Sequence, residues 1–472
     1  MLTAGEKNLT QPVASHSAVV LRFSAVATPA AEAAGVAGES SQIAAVSSSP
    51  VPFVATTQLF DSEAESSAET PAGAGRASVA IVPSLMRGGD PAHSGRTTAH
   101  GPATKAQVKW NWGNITNNAP TSYESIPAVT ASGHVLAVGS YGSYGGSKIS
   151  IMHALDVETG KLLWNCTMNG TVWASPLVVE VAGGSEFAIV GSENGSVYAV
   201  DTANGALKWR LQTGGPVFSS AVTSDPKETS APLFVGSWDG NLYKLSRSDG
   251  KVLGKLLFET EIRSTPAVSA AAGETSLFFS LGVAHVCVNA ATSGSSMGVK
   301  WRENTTAFAY GSPSLSNDGK LVLFPPSGDR RAWARHAATG LTQWSHEIGE
   351  GRSDVSTQGA VSKDGAAFYF LGEFNSGNGQ DALYSYSVST GESLFSTQWP
   401  AAQGRNMGDG GAPAALVLDE SGSIWWVGSR GNLTAIDTAS GNITVNVPNV
   451  VQNGGAGPGG CNLVAIARDG LA

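Results

Sequence analysis

The sequence predicts an all-β protein: a propeller of eight blades, each of four antiparallel strands, preceded by a disordered N-terminal segment. Three observations carry that expectation. A short phrase recurs at strand ends, most clearly as ALDVETGKLLW (Ala154–Trp164) and AVDTANGALKW (Ala199–Trp209). Glycine supplies 58 of the 472 residues, while only 14% are charged, against about 25% in an average globular chain. All 12 Trp and all 9 Tyr lie beyond residue 100, so the material for an aromatic core is confined to that part.

The repeat sets the period. Further copies end at Gly254, Trp301, Trp344, Phe395 and Val445, and Trp110 of QVKW supplies an earlier ending. The intervals are 54, 45, 45, 47, 43, 51 and 50 residues, the length of one supersecondary unit that buries its faces only against its neighbours. Within a unit an apolar strand begins near a Ser or Pro (ASPLVVEV, STPAVSA), and a second ends in Gly-Ser (FAIVGS, LFVGS, WWVGS). A tight turn (ENG, WDG) leads to a third strand (SVYAVD, NLYKLS, NLTAID), and an xxTGK turn to a fourth that reaches the Trp. Gly, Asn and Asp adopt the positive φ of hairpin turns at little cost, and the Val, Ile, Phe, Tyr and Trp between them suit a pleated, half-buried surface. Four short antiparallel strands per unit make a propeller blade.

Eight endings bound seven full units. Gln107–Trp112 is therefore expected to be the outer strand of an eighth blade begun after Val450, a short one because only 22 residues follow. Trp110, Trp164, Trp209, Trp301 and Trp344 are read as structural docking residues, buried at blade junctions beside the Gly of the xxTG turn, since an indole offers a large flat apolar area and one N–H to satisfy. Residues 86–472 are assigned to the propeller. Residues 1–85, rich in Ala and Ser with three Phe as their only aromatics, are expected to be a disordered leader or targeting segment that buries too little surface to offset chain entropy.

Several functions are excluded or left without support. A net charge of −9 with no Lys/Arg cluster argues against nucleic-acid binding. No apolar run approaches the ~18 residues of a transmembrane helix, and MLTAGEKNLT lacks the basic start of a signal peptide. Cys166, Cys287 and Cys461 form neither a disulfide framework nor a CxxCH haem site. Gly294–Gly298 satisfies GxSxG and Gly455–Gly460 satisfies GxGxxG, but the nucleophile elbow and the dinucleotide fingerprint both need a strand–turn–helix setting that is missing here. Trp238-Asp239 falls in a hairpin turn, and the eight His have no metal-ligand spacing. Asn-x-Ser/Thr sequons, among them Asn165, Asn169, Asn194, Asn304, Asn432 and Asn442, point to a secreted or extracytoplasmic glycoprotein.

The AxDxxTGxxxW phrase resembles the repeat of the quinoprotein propellers, the PQQ or tryptophan-docking repeat, and MRGGDPAHSGRTT with GPATKAQVKWNW resembles the way such propellers begin. The similarity covers residues 86–472. The resemblance implies eight blades and two functional branches. One comprises quinone-dependent alcohol and sugar dehydrogenases, which imply pyrroloquinoline quinone, Ca²⁺, an adjacent Cys-Cys pair and an Asp base. The other comprises non-enzymatic scaffolds such as the propeller lipoprotein of the bacterial outer-membrane assembly machine. No Cys-Cys dipeptide and no dense acidic cluster occur here, so the expectation is a monomeric scaffold for a protein or peptide partner without cofactor; pyrroloquinoline quinone with calcium is the alternative. Loops on a rigid disc carry binding, and Glu261, Arg263, Arg352, Asp354, Arg405 and Asp409, at or before the starts of inner strands, are the candidate binding residues around the channel mouth.

Overall fold

The computed structural model describes residues 81, 83–99, 110, 125–141, 149–271, 273–348, 358–374, 380–398, 416–427 and 433–447. These contain no helix and form seven antiparallel sheets, each a simple meander from an inner to an outer strand. The first blade runs Ala128–Val129, His134–Tyr141, Ile149–Asp156 and Leu162–Asn169; the seventh ends with Leu433–Asp437 and Ile443–Val447. In the third blade the inner segment is reduced to Val222, which exchanges two backbone hydrogen bonds with Phe234 at 3.0 and 2.8 Å. The architecture is the expected all-β propeller. Of the expected eighth blade only Trp110 is among the described residues; the rest of Gln107–Trp112 and everything after Val447 lie outside them.

One irregularity repeats in every blade. The register between the third and outer strands shifts immediately after the residue facing the docking position: after Ala154 (facing Trp164), Ala199 (Trp209), Lys244 (Gly254), Cys287 (Trp301), Ala334 (Trp344), Ser385 (Phe395) and Ala435 (Val445). Each outer strand thus carries a bulge at the residue before the docking position, and a bulge bends the strand and re-aims the side chain beside it. Leu163, Leu253 and Leu394, three of the bulged residues, are left exposed.

The docking residue then seats on the next blade. The indole N–H groups of Trp110, Trp164, Trp209, Trp301 and Trp344 donate to the carbonyls of Val157, Thr202, Arg247, Ala337 and Val388 at 2.8–3.1 Å. These acceptors hold one equivalent place, just after the third strand of the following blade. Each ring lies against the glycine of that blade's xxTG turn; a Cβ at Gly205 would stand 2.6 Å from the Trp164 ring. Trp209, Trp301 and Trp344 are buried, and Trp110 and Trp164 half-buried. Phe395 packs on Gly441 in the same way without a donor.

The lead-in segment lies inside the ring. Backbone amides on the free edges of six inner strands donate to its carbonyls in chain order: Val129 to Ser84, Val178 to Leu85, Val268 to Pro91, Leu315 to Ala92, Val361 to Ser94 and Leu418 to Gly95, at 2.7–2.9 Å. Only the third blade is passed over, where the lead-in folds into the turn around Met86–Asp90. Thr97 completes the run by donating to Leu418 O, and Ala99 O accepts from Glu420. Edge amides that water would otherwise have to satisfy are thereby filled by the chain itself.

Candidate functional site

Two further tiers lie in the segments that lead into the inner strands, towards the face reached by the loops that follow the docking strands. Three residues before the lead-in contacts, an amide-to-hydroxyl relay passes from blade to blade: Ile126 N–H to Ser175 Oγ, Ser175 N–H to Ser220 Oγ, Ser220 N–H to Thr265 Oγ1 and Thr265 N–H to Ser312 Oγ, at 2.9–3.1 Å. Ser312 then bridges to Gln358. Ser175, Ser220, Thr265 and Ser312 are buried, so the relay fixes the inner-strand starts relative to one another.

Two residues earlier again, about 7 Å along an extended chain, come Trp173, Phe218, Arg263 and Tyr310. With Trp238 of the third blade's hairpin turn they form a continuous arc. Trp173 lies 5.6 Å from Phe218, and Phe218 stacks on Trp238 at 4.4 Å. The Arg263 guanidinium sits 4.2 Å from the Trp238 ring and 5.1 Å from Tyr310, which stacks on Phe308 at 5.8 Å. Trp173, Phe218, Trp238 and Tyr310 are half-buried, and Phe308 is 50% exposed. A cation held against aromatic faces gains about 0.5–2 kcal/mol and loses freedom, so this guanidinium is pre-positioned.

The polar groups around the arc are largely committed. Asp239 Oδ2 accepts from the Gly214 amide (2.8 Å) and the Tyr243 hydroxyl (2.5 Å), and Oδ1 from the Asn241 amide (2.9 Å). Burial and then the Asp239 carboxylate push the Tyr243 phenol up. Glu261 Oε1 accepts from Arg263 Nη2 at 3.1 Å and Oε2 from the Thr260 hydroxyl at 3.0 Å. A hydrogen bond from its own backbone, opposed by partial burial and aided by Thr260 and Arg263, holds the Glu261 carboxyl below its usual range. A shallow surface depression lies between Thr260, Glu261, Arg263, Phe308 and Tyr310.

Of the six residues selected from sequence for the mouth, Glu261 and Arg263 come together here as an ion pair. Arg352, Asp354, Arg405 and Asp409 lie outside the described residues. Sequence reasoning missed Trp173, Phe218, Trp238 and Tyr310. The signal was present: Trp173, Phe218, Arg263 and Tyr310 each stand two residues before the buried Ser or Thr of the relay, at intervals of 45, 45 and 47. The sequons Asn165, Asn169, Asn194, Asn304 and Asn442 are exposed, and Asn432 lies outside the described residues. Asn194 is engaged in its turn, accepting from the Ser196 amide and donating to the Tyr198 hydroxyl.

A quinone–calcium centre does not fit the described residues. No three His, Cys, Asp or Glu side chains among them gather as a metal site requires. Cys166 and Cys287 stand apart on the outer strand of the first blade and the third strand of the fourth, and burial pushes the Cys287 thiol up to about 12. The inner-strand edges meanwhile are taken by the lead-in.

Residues 98–270 and 239–464 match the family model described as outer membrane protein assembly factor BamB, together spanning most of the chain. The chain belongs to the BamB family. Among solved structures, BamB from Moraxella catarrhalis is 15% identical over 72% of this chain and 92% of its own, with a TM-score of 0.48. A europium-containing methanol dehydrogenase is 11% identical over 80% of this chain and 86% of its own, with a TM-score of 0.56. The quinohemoprotein alcohol dehydrogenase from Comamonas testosteroni is 11% identical over 81% and 74%, with a TM-score of 0.55. At these identities the likeness to the two dehydrogenases is one of fold alone. No curated protein matches the chain. No helix among the described residues is long and apolar enough to cross a membrane.

Proposed function

We propose that this BamB-family propeller is a non-enzymatic, monomeric scaffold that receives a protein or peptide partner on the face bearing Trp173, Phe218, Trp238, Arg263 and Tyr310. The observation that carries the reading is the arc itself. Aromatic side chains and Arg are the groups that dominate protein interfaces, and here they are lined up across four blades, half-exposed, on a rigid inner tier. Membership of a family named for outer-membrane assembly supports a protein partner and an extracytoplasmic setting. In a eukaryotic secretory host, Asn165, Asn169, Asn304 and Asn442 are the sequons placed to carry glycans.

The test is a pull-down from the native source with wild-type protein and with Trp238→Ala and Arg263→Ala variants of unchanged melting temperature. Partners recovered by the wild type should be lost with both variants; unchanged recovery of every partner refutes the placement. In parallel, protein supplied with pyrroloquinoline quinone and Ca²⁺ should show no dye-linked alcohol or aldose oxidation above a boiled control and no ligand-dependent rise in melting temperature.

A further inference from the structure

We propose that the partner meets the third- and fourth-blade end of the arc with a segment in which Lys or Arg side chains alternate with large apolar ones. This rests on the reading of the arc as the partner face and adds the chemistry of what binds there.

The apolar half of the match is a contiguous patch. Phe308 lines the depression beside Arg263, and Leu257 and Val283 are further exposed large apolar side chains of this part of the surface. Leu257 lies over the third blade's hairpin turn, its Cδ1 3.5 Å from where a Gly240 Cβ would stand. Thr260 reaches the fourth blade's turn in the same way, its methyl 3.3 Å from where a Gly282 Cβ would stand. The Ala309 and Thr305 amides then donate to the Gly282 and Val283 carbonyls at 2.7 and 2.9 Å, which fixes the Phe308 loop against that turn. Contiguous exposed apolar side chains rimmed by polar groups mark interaction sites.

The charged half is acidic. The segments 238–240 and 258–263 carry three carboxylates, Asp239, Glu259 and Glu261, and one cation, Arg263. Arg263 is paired with Glu261 at 3.1 Å, and neither Asp239 nor Glu259 has a Lys or Arg partner among the described residues. Asp239 accepts from neutral donors, the Gly214 and Asn241 amides and the Tyr243 hydroxyl. Partial burial opposes its charge, but these bonds outweigh burial and hold the carboxyl below its usual range. Two negative charges are left unbalanced, so a basic segment is attracted and an acidic one meets like charge.

The surface already holds one cation in this manner. Arg263 lies between the Trp238 and Tyr310 rings at 4.2 and 5.1 Å, with a carboxylate at its edge. Phe308 ends the stack with half its surface open, and an exposed ring face attracts a further cation. The net charge of −9 draws a basic partner towards the whole molecule, while the patch decides where it settles.

The probe is an acetylated, amidated heptapeptide alternating Lys and Leu, titrated by calorimetry. Its comparisons carry Glu in place of Lys, or Ser in place of Leu. Saturable binding roughly tenfold tighter than either comparison is expected, weakened roughly threefold or more by Glu261→Gln and by Phe308→Ala. Glu392→Gln, in the xxTG turn of the sixth blade, and Leu207→Ala, on the outer strand of the second, change an exposed charge and an exposed apolar side chain elsewhere and should leave the affinity as it is. All four side chains reach the surface, and unchanged melting temperatures verify the fold. No saturation, equal binding of the Glu or the Ser peptide, an equal loss in the two remote variants, or unchanged affinity in both Glu261→Gln and Phe308→Ala overturns the proposal. If the Lys-Leu peptide fails while Arg263→Ala still loses a partner in the pull-down, the scaffold reading stands and the basic ligand falls.

Discussion

Lys244 lies directly opposite Gly254 between the third and outer strands of the third blade. Elsewhere the same pair of positions holds a small residue facing a large one: Ala154 and Trp164, Ala199 and Trp209, Ala334 and Trp344. Here the sizes are exchanged. The Lys244 side chain is fully buried, and its ammonium donates to the carbonyls of Ala291 at 2.5 Å and Gly294 at 2.8 Å in the fourth blade. The enlarged turn of that blade enters the space left by the missing indole, with the Ser295 carbonyl 2.6 Å from where a Gly254 Cβ would stand. The GxSxG match in this turn is thus a junction filler and not a nucleophile elbow.

Lys244→Met should therefore destabilise the protein by about 2 kcal/mol, because it keeps the apolar stem but leaves two buried carbonyls without their donor. Gly254→Trp should be at least as damaging, since the turn already occupies the site. Urea midpoints at unchanged m-value give both effects; a neutral Lys244→Met refutes the exchange.

The docking account separates area from hydrogen bond at Trp344. Replacement by Ala should cost about 3–5 kcal/mol. Replacement by Phe, which keeps the ring on Gly391 and loses the 2.8 Å bond to Val388 O, should cost about 1 kcal/mol. Equal losses in the two variants are the result that rules docking out.

Acid should loosen the lead-in. Burial, reinforced by the Arg87 charge and opposed by the Pro313 carbonyl, lowers His93 to about 3. The unfolded side chain, titrating near 6.5, binds more protons than the folded one between those values, so stability is present above pH 6.5 and falls as pH drops towards 3. The slope from this residue is on the order of 1.4 kcal/mol per pH unit. His153, lowered by burial to about 4, adds in the same direction. Urea midpoints measured from pH 7 to pH 5 should fall, and His93→Gln should flatten that fall; an unchanged slope in the variant refutes it.

Gly95 has φ +72°, and a Cβ there would come within 2.6 Å of the Ala360 Cβ. Gly95→Ala is both strained and crowded. It should release the lead-in from the sixth and seventh blades first, seen as faster hydrogen exchange at the Val361 and Leu418 amides while those of Val129 and Val178 stay protected. Uniform loss of protection at all four is the contrary outcome.

Much of the fold was legible from residue order alone, because a blade is a local object. The xxTG turns, the Gly-Ser strand ends and the recurring Trp specify four adjacent strands without reference to distant parts of the chain, and the period adds the ring. The candidate site was only half legible. Glu261 and Arg263 stood out as charges before an inner strand, whereas Trp173, Phe218 and Tyr310 carry no charge or motif of their own, and nothing in a single unit shows that they meet across neighbouring blades.

The sequence by itself determined the class of fold, the strand meander and the docking residues, all of which follow from patterns within some fifty residues. Only the tertiary structure decided the rest. The bulge before each docking position depends on how two strands pair, which residue order does not reveal. The path of Ser84–Thr97 along six inner strands depends on edge amides that exist only once the ring is assembled. The arc through Trp238, Arg263 and Tyr310 joins blades whose side chains are brought together by rotation about the channel. Contacts within a blade are set by sequence separation, and contacts between blades by the geometry of the ring.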